Sequence, residues 1–163
     1  MTKETQEPEC CPKFDPKPWE GKTHVWKEKR FIKDSIPQFM HIPWPPMIGE
    51  VIGRMWDAAR SAKAEIEGKD CLMLFYDPSP WKSEFYMSVT KDVVGAENVT
   101  LSGTYISKVF EGPYNAVPKW IKEMDKFLAA EGKKALKYYF YYTTCPKCAK
   151  KWGENYVVVF AQI

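Results

Sequence analysis

The feature that most constrains the fold of this chain is an internal duplication. The stretch from Met47 to Val93 is repeated, at weak identity but in the same order, by the stretch from Tyr114 to Ile163. Matching positions lie 68 to 70 residues apart: Arg54-Met55 with Glu123-Met124, Asp77-Pro78 with Cys145-Pro146, and Glu84-Phe85-Tyr86 with Glu154-Asn155-Tyr156. Two units of this length usually pair around a pseudo-two-fold axis and bury a shared core. We therefore expect a ligand cleft at that axis.

Each repeat has the pattern of a helix, a strand, a loop and a strand. Proline fits the first turn of a helix, so Pro45-Pro46 is predicted to open the first helix, which ends at Gly68. Its apolar face is formed by Ile48, Val51, Ile52, Met55, Trp56 and Ala59. Gly112-Pro113 turns into the second helix, whose buried face carries Val117, Trp120, Ile121, Met124, Phe127 and Leu128.

Strands are predicted from alternating or continuous apolar runs. They are two runs between His24 and Ile42 joined at Asp34-Ser35, then Cys71–Tyr76, Glu84–Val93, Leu101–Glu111, Leu136–Thr143 and Asn155–Ala161. Asp77-Pro78-Ser79-Pro80 is predicted to be a loop. The predicted fold class is α+β: duplicated strand-helix-strand-strand units form one antiparallel sheet with two helices packed on one face.

A chain of 163 residues suits one domain. Residues 1–22 are charged and proline-rich, so we expect a partly mobile tail from which Phe14 and Trp19 tuck against the body. The domain is predicted to span 23–163, with its two repeats at about 24–93 and 100–163.

Charge and hydropathy exclude several classes of partner. The net charge is only +3, and lysines alternate with acidic residues, which argues against nucleic acid binding. No apolar run approaches the ~20 residues that span a bilayer, and the N-terminus has no apolar signal region, so we expect a cytoplasmic protein without a membrane partner. No phosphate-cradling glycine loop or dinucleotide fingerprint occurs, so no cofactor is predicted.

Several longer strings carry a resemblance to a known family. They are Val109 to Tyr114 ahead of an amphipathic helix, CCPKFDP at Cys10, SPW at Ser79, FEGPY at Phe110, and YYTTCPKCAKKWGENYVVVFAQI at Tyr141. Over roughly residues 24–163 the chain resembles the DNA gyrase inhibitor-like (GyrI-like) effector-binding domains, and more closely a bacterial subgroup of that family labelled hydrolase.

This resemblance implies an apolar cleft that stacks a flat or bulky hydrophobic molecule on aromatic rings, with a carboxylate at its base. Some members of the family bind only, and others resemble hydrolases that open the cyclopropane rings of toxic alkylators. Aromatic residues make up 15% of the chain, which suits such a cleft. The expected lining residues are Trp44, Trp56, Tyr76, Trp81, Tyr86, Tyr105, Glu111, Tyr114, Tyr139 and Tyr141.

The carboxylate of the predicted site does not stand at the family's usual position. Where the family usually has a glutamate, on the strand after the second helix, this chain has Phe140. Asp77, Glu84 and Glu111 are the replacements, and Glu84 is our first choice as a catalytic general base. Strand alternation puts Glu84 and Tyr86 on the face opposite Phe85, so Glu84 faces the cleft if Phe85 lies under the helices.

Alternatives stay open at this point. A ligand-sequestering module without catalysis, or a gyrase-protecting factor with an unidentified protein partner and an exposed apolar patch, would share most of these features. Cys10, Cys11, Cys145 and Cys148 form two pairs that could bind structural zinc, although adjacent cysteines are awkward ligands. His24 and His41 are single histidines without a triad partner in spacing.

Overall fold

The computed structural model describes residues 14–40, 42–43, 45–66, 70–113, 116–143 and 155–163, with the side chains of residues 42, 43 and 45 excepted. These residues form seven strands and two helices in the order β1 (Lys22–Phe39), β2 (Ile42–Pro43), α1 (Pro45–Ser61), β3 (Met73–Ser79), β4 (Lys82–Ser88), β5 (Glu97–Glu111), α2 (Val117–Ala130), β6 (Lys137–Tyr142) and β7 (Tyr156–Gln162). The two-residue β2 pairs only with the end of β1. The predicted α+β class with two helices is confirmed, and the sheet has six principal antiparallel strands.

The six long strands close into a barrel with the order β1-β4-β3-β6-β7-β5, and β5 pairs back onto β1. The sequence predicted one antiparallel sheet with two helices on one face, but not that this sheet closes into a barrel. Closure follows from the length of β1, which has 18 residues and pairs with both β4 and β5. A register shift in β1 between Trp26 and Lys29 is a β-bulge, a feature that increases strand twist and bends a sheet. The helices consequently lie outside a closed sheet.

The duplication predicted from the sequence is visible in the strand order. The first repeat contributes β1-β4-β3 and the second contributes β5-β7-β6, so the two halves have the same internal pairing. They join where β1 meets β5 and where β3 meets β6. The aligned methionines Met55 and Met124 are both buried in the helices. Cys145-Pro146, the counterpart of Asp77-Pro78, lies outside the described residues.

Each helix covers the outer face of its own half of the barrel. In α1, Val51, Met55 and Ala59 pack against the outward side chains of β1 and β4, among them Phe85 and Met87. In α2, the buried residues are Trp120, Met124 and Leu128, and they pack on Ile106, Val157, Val159 and Ala161. The predicted buried faces are thus largely the observed ones, because apolar spacing of three and four residues places side chains on one side of a helix.

Some element boundaries differ from the prediction. Helix α1 ends at Ser61 and not at Gly68, because Lys63 adopts φ +55 and the Ala64 amide bonds back to the Ala59 carbonyl at 2.8 Å. Strand β1 is continuous through Asp34-Ser35. Asp77-Pro78 remains inside β3, whose pairing with β4 is irregular between Tyr76 and Ser79. A proline can lie in a strand where the ladder is interrupted in this way.

The segment before β1 packs on the inside of the barrel. Phe14 lies 5.5 Å from the ring of Tyr156, and Trp19 lies 5.7 Å from the ring of Phe160. The Ser107 hydroxyl donates to the Trp19 carbonyl at 2.6 Å, and Glu20 accepts from the Val109 amide at 2.8 Å. Residues 14–21 are therefore attached to β5 and to the inner rings by both apolar and polar contacts.

His24 is expected to make the stability of this attachment depend on pH. Its Nε2 lies 2.7 Å from the Ser107 hydroxyl, and its ring contacts those of Trp19 and Phe160. Burial lowers the pKa of His24 below its ordinary value of 6.5, so the unfolded chain binds the proton more readily than the folded one. The free energy of unfolding should therefore be highest above about pH 6.5 and should decrease as the pH falls through 6.5.

This pH dependence can be measured by urea denaturation at several values between about pH 5 and pH 8. The variant His24→Gln keeps a hydrogen-bonding side chain beside Ser107 but has no charge to gain, so its stability should change less over this range. An equal decline in both proteins would assign the effect to other groups.

Candidate functional site inside the barrel

The inner face of the barrel is lined mainly by aromatic side chains. Its buried residues, which we call the inner cluster, are Phe31, Leu72, Leu74, Tyr86, Tyr105, Tyr139, Val158 and Phe160. The partly buried Trp26, Tyr76 and Tyr141 pack against them. Along β4 the side chains alternate as predicted, since Phe85 and Met87 pack under α1 whereas Tyr86 belongs to the inner cluster.

Glu84 places a carboxylate on this inner face, where it is only 6% exposed. Its Oε2 lies 2.7 Å from Lys33 Nζ, and its Oε1 accepts a hydrogen bond from the Tyr86 hydroxyl at 3.4 Å. The hydrogen bond to Glu84 raises the pKa of Lys33 above its ordinary value, because it stabilises the charged ammonium. The two side chains therefore form a largely buried ion pair.

Four tyrosine rings form one group on the inner face with Tyr139 at its centre, and the Tyr86 hydroxyl of this group contacts Glu84. The ring of Tyr139 lies 5.4 Å from that of Tyr76, 5.7 Å from that of Tyr86 and 6.2 Å from that of Tyr105. Burial, with the nearby phenols and the charge of Glu84 adding to it, raises the pKa of Tyr139 to about 12. Burial and the charge of Glu84 also raise the pKa of Tyr86. At neutral pH the phenols of Tyr86 and Tyr139 are therefore protonated, and each can donate a hydrogen bond.

Glu84, Lys33, Tyr76, Tyr86, Tyr105 and Tyr139 together form what we call the glutamate–tyrosine site. The Tyr105 side chain is 0% exposed, and its hydroxyl has no hydrogen-bond partner within the described part of the chain. Buried polar groups of this kind are rare, since leaving one unpaired costs about 1–3 kcal/mol. A hydroxyl in this state is suited to donate to an acceptor atom on a ligand.

We expect Tyr105→Phe to increase the free energy of unfolding by about 1 kcal/mol, because it removes a buried hydroxyl that has no partner while keeping the ring. Urea denaturation of the two proteins without ligand measures this difference. The matched control is Tyr86→Phe, which removes a hydroxyl that donates to Glu84 and should decrease stability. A decrease for Tyr105→Phe as large as that for Tyr86→Phe would show that the Tyr105 hydroxyl is satisfied after all.

Trp26 covers this site from β1. Its ring centroid lies 4.3 Å from that of Tyr105, 5.6 Å from that of Phe160 and 6.1 Å from that of Phe31. It stands next to the bulge in β1, where Glu28 adopts φ +46. The rings are in close contact, so a bound molecule would have to displace or stack on the Trp26 indole.

The sequence prediction missed Lys33 and Trp26 as parts of the site. Both side chains lie on the same face of strand β1 as Phe31. Lys33 does so because it follows Phe31 by two residues and side chains alternate between the two faces of a strand. Strand alternation could therefore have put Lys33 on the inner face. Its pairing with Tyr86 across β1 and β4, which brings it to Glu84, requires the observed register.

Other predicted lining residues lie elsewhere. Tyr141 is on the inner face but farther along, 6.0 Å from Trp19. Trp56 lies on α1 outside the barrel, where Arg60 lies over its ring at 5.0 Å. Trp81 is 57% exposed at the β3–β4 turn, and Glu111 is exposed at the end of β5. Trp44 and Tyr114 lie outside the described residues.

Barrel closure explains these differences, because it separates the inner strand faces from the helices and from the turns. Phe140, at the family's usual glutamate position, is not part of the inner face, because it packs on the outer face that α2 covers. Asp77 is exposed near the end of β3. Of the three carboxylates considered as replacements, Glu84 is the one that the fold brings into the inner aromatic face.

A surface cavity lies next to the ion pair. This cavity of about 290 Å³ is lined by residues of β1, α1 and the start of β5, including Lys33, Arg54 and Glu97. Arg54 is tied to Asp34 at 2.8 Å, and Lys33 lies 3.9 Å from Glu97. Lys33 therefore borders both the cavity and the glutamate–tyrosine site.

The described residues give no support to a metal centre, since no group of three or more His, Cys, Asp or Glu among them could hold an ion. The four cysteines of the zinc hypothesis, Cys10, Cys11, Cys145 and Cys148, lie outside the described residues. Neither of the two described helices is long and apolar enough to cross a membrane.

The duplicated barrel with two outer helices is the fold of the GyrI-like effector-binding domains. The chain is similar to the crystal structure of the EcmrR C-terminal domain, with a TM-score of 0.63 and 12% identity over 88% of this chain and 96% of that chain. The predicted resemblance is thereby confirmed at the level of the fold.

The chain belongs to the family described as Bacterial hydrolase, whose model matches residues 1–163. No protein with curated information matches it.

Proposed function

We propose that this protein binds a flat, hydrophobic small molecule on the inner face of the barrel and hydrolyses a reactive electrophile there. The observation that carries the proposal is Glu84, a carboxylate that is 6% exposed on the aromatic inner face and accepts a hydrogen bond from the Tyr86 hydroxyl. Membership of the Bacterial hydrolase family and the fold of an effector-binding domain support it.

Glu84 is the general base in the proposed reaction. Its carboxylate accepts a proton from a water molecule while the oxygen of that water forms a bond to the electrophilic carbon. In a cyclopropane-bearing substrate, one carbon–carbon bond of the ring breaks, and its electron pair moves onto the acceptor group conjugated with the ring. A protonated phenol of the site, Tyr105 or Tyr139, then hydrogen-bonds to that acceptor and transfers a proton to it, and the proton on Glu84 is returned to the phenolate, so that both groups recover their starting forms. Ring opening removes the electrophile, so the reaction would serve detoxification.

The aromatic residues position the substrate. Flat molecules gain from stacking on rings, and the offset or edge contacts within the cluster show that its rings can present either face or edge. Trp26 is the ring that a ligand would contact first, because it covers Tyr105. Holding water, substrate and carboxylate together in a space that excludes bulk solvent lowers the entropic part of the barrier.

The experiment that tests this proposal combines binding with turnover. A panel of flat electrophiles, cyclopropane-bearing alkylators included, is titrated into the protein while tryptophan fluorescence is followed. The products are then analysed by mass spectrometry in water enriched in heavy oxygen. The fluorescence change should be lost in Trp26→Phe and kept in Trp81→Phe, since Trp81 lies in an exposed turn outside the site. Binding together with a product that carries the heavy oxygen is the expected result, and the absence of binding would overturn it.

A sequestering module without catalysis is the second candidate. Both carboxylate oxygens of Glu84 already have partners, Lys33 and Tyr86, which leaves less capacity to accept a proton from water. In that case the same panel would give binding without any labelled product.

A protein-interaction role is the third candidate, and one surface favours it. Phe39, Met40 and Trp81 are 67%, 62% and 57% exposed, and the rings of Phe39 and Trp81 lie 5.5 Å apart. Exposed apolar side chains gathered in this way are common at contact surfaces. Unchanged small-molecule binding together with loss of a partner in Trp81→Ala would favour this candidate.

A further inference from the structure

The ion pair inside the barrel has a consequence for the charge of the ligand. Lys33 Nζ lies 2.7 Å from Glu84 Oε2, and the two side chains are 22% and 7% exposed. A second carboxylate, Glu97, lies 3.9 Å from the same ammonium, but it is 63% exposed and therefore screened by water. The buried charges of the glutamate–tyrosine site thus sum to zero.

A lone carboxylate among aromatic rings would attract a flat cation strongly, because charges in a poorly solvated site are weakly screened. Because the Lys33 ammonium lies 2.7 Å from the carboxylate, it repels the same cation nearly as strongly as the carboxylate attracts it. Burial raises the pKa of Tyr86, Tyr105 and Tyr139, so these phenols are protonated near neutral pH and add no charge. Electrostatic attraction for a cation is therefore largely cancelled at this site.

One hydrogen-bond donor of the site, the Tyr105 hydroxyl, is available to a ligand. The Tyr105 hydroxyl is fully buried and has no partner within the described part of the chain. Lys33 also lies over the ring of Tyr86 at 5.9 Å, so its position is fixed by both the carboxylate and the ring. A ligand that offers an acceptor atom would satisfy the buried hydroxyl, whereas a cation without an acceptor would leave it unpaired.

We propose that Lys33 determines the charge class of the ligand: the site takes a neutral, flat molecule that carries a hydrogen-bond acceptor and discriminates against a flat cation of the same shape. This inference rests on the proposed ligand site on the inner face. Lys33 acts as a specificity-determining residue because it neutralises Glu84.

The test uses two probes of nearly equal shape, acridine in mildly alkaline buffer, where it is neutral with a ring-nitrogen acceptor, and N-methylacridinium, a permanent cation. Dissociation constants of both are measured for the wild type, Lys33→Met, Lys33→Arg and the double variant Lys33→Met/Glu84→Gln. Met keeps an unbranched stem without the charge, and Arg keeps the charge. The double variant removes both charges, so no unpaired charge is left in the barrel.

The wild type is expected to bind acridine more tightly than N-methylacridinium. In Lys33→Met the affinity for N-methylacridinium relative to that for acridine should increase by about tenfold or more, as expected for a carboxylate that has lost its counter-charge. Lys33→Arg should keep the wild-type ratio, and the double variant should return close to it. These results together would support the inference.

An unchanged ratio in Lys33→Met, with both probes still bound, would overturn the role of Lys33 and leave the proposed ligand site standing. If Lys33→Met does not fold, Glu84→Gln gives the opposite test, since it leaves the ammonium unpaired and should weaken N-methylacridinium relative to acridine by about tenfold. An unchanged ratio there counts against the inference in the same way. If the wild type binds neither probe nor any member of the electrophile panel, the proposed ligand site itself is wrong.

Discussion

Glu84→Gln is expected to lower the rate of hydrolysis by about 10²–10⁴-fold, the usual contribution of a general base. Gln has the same shape as Glu, and its carbonyl oxygen can still accept hydrogen bonds from Lys33 or Tyr86. Its amide cannot accept a proton from water, however, so the attacking water is no longer activated. Affinity for a neutral substrate should change little, because stacking on the aromatic rings is retained. Single-turnover mass spectrometry gives the rate, and quenching of tryptophan fluorescence gives the affinity.

The matched control is Glu97→Gln. Glu97 is also a carboxylate near Lys33, but it lies at 3.9 Å and is 63% exposed. Its removal should change the rate by no more than about twofold, since an exposed ion pair contributes less than about 1 kcal/mol. If Glu84→Gln turned over substrate as fast as the wild type while Glu97→Gln did not, the base would be Glu97. If neither variant were slower, the base would be neither of them.

Phe160→Ala is expected to lower the free energy of unfolding by about 3–5 kcal/mol. The Phe160 side chain is 0% exposed, and its ring contacts Trp19, His24 and Trp26 at centroid distances of 5.5 to 5.7 Å. Truncation to Ala leaves a cavity that these rings can fill only in part. Because domains are stable by only about 5–15 kcal/mol, the loss should be plain in a urea titration followed by circular dichroism.

Two variants bracket this prediction. Phe160→Leu keeps most of the apolar volume and should lose only about 1 kcal/mol. Trp81→Ala removes a larger ring from a site that is 57% exposed and should stay within about 0.5 kcal/mol of the wild type. A loss for Phe160→Ala no larger than that for Trp81→Ala would mean that the inner aromatic face does not contribute to the core.

The site could be predicted in part from local pattern. Strand alternation put Glu84 and Tyr86 on the face opposite Phe85, and that is how the side chains of β4 lie. Tyr76, Tyr105 and Tyr139 were also expected in the site, and all three pack on the same inner face as Tyr86. Trp56 was expected there as well, but an aromatic residue on the buried side of a helix packs on the outer face once the sheet has closed.

The sequence by itself determined the duplication, the two amphipathic helices and the inward or outward direction of most strand residues, because these depend on spacing along the chain. Only the tertiary structure decided that β5 pairs with β1 and closes the barrel, since strand pairing and register depend on partners distant in sequence. The same pairing brought Lys33 of β1 to Glu84 of β4 and joined two charges that the sequence shows 51 positions apart. The apolar rings and the carboxylate were visible in the sequence, whereas the charge balance of the site followed from the register of β1.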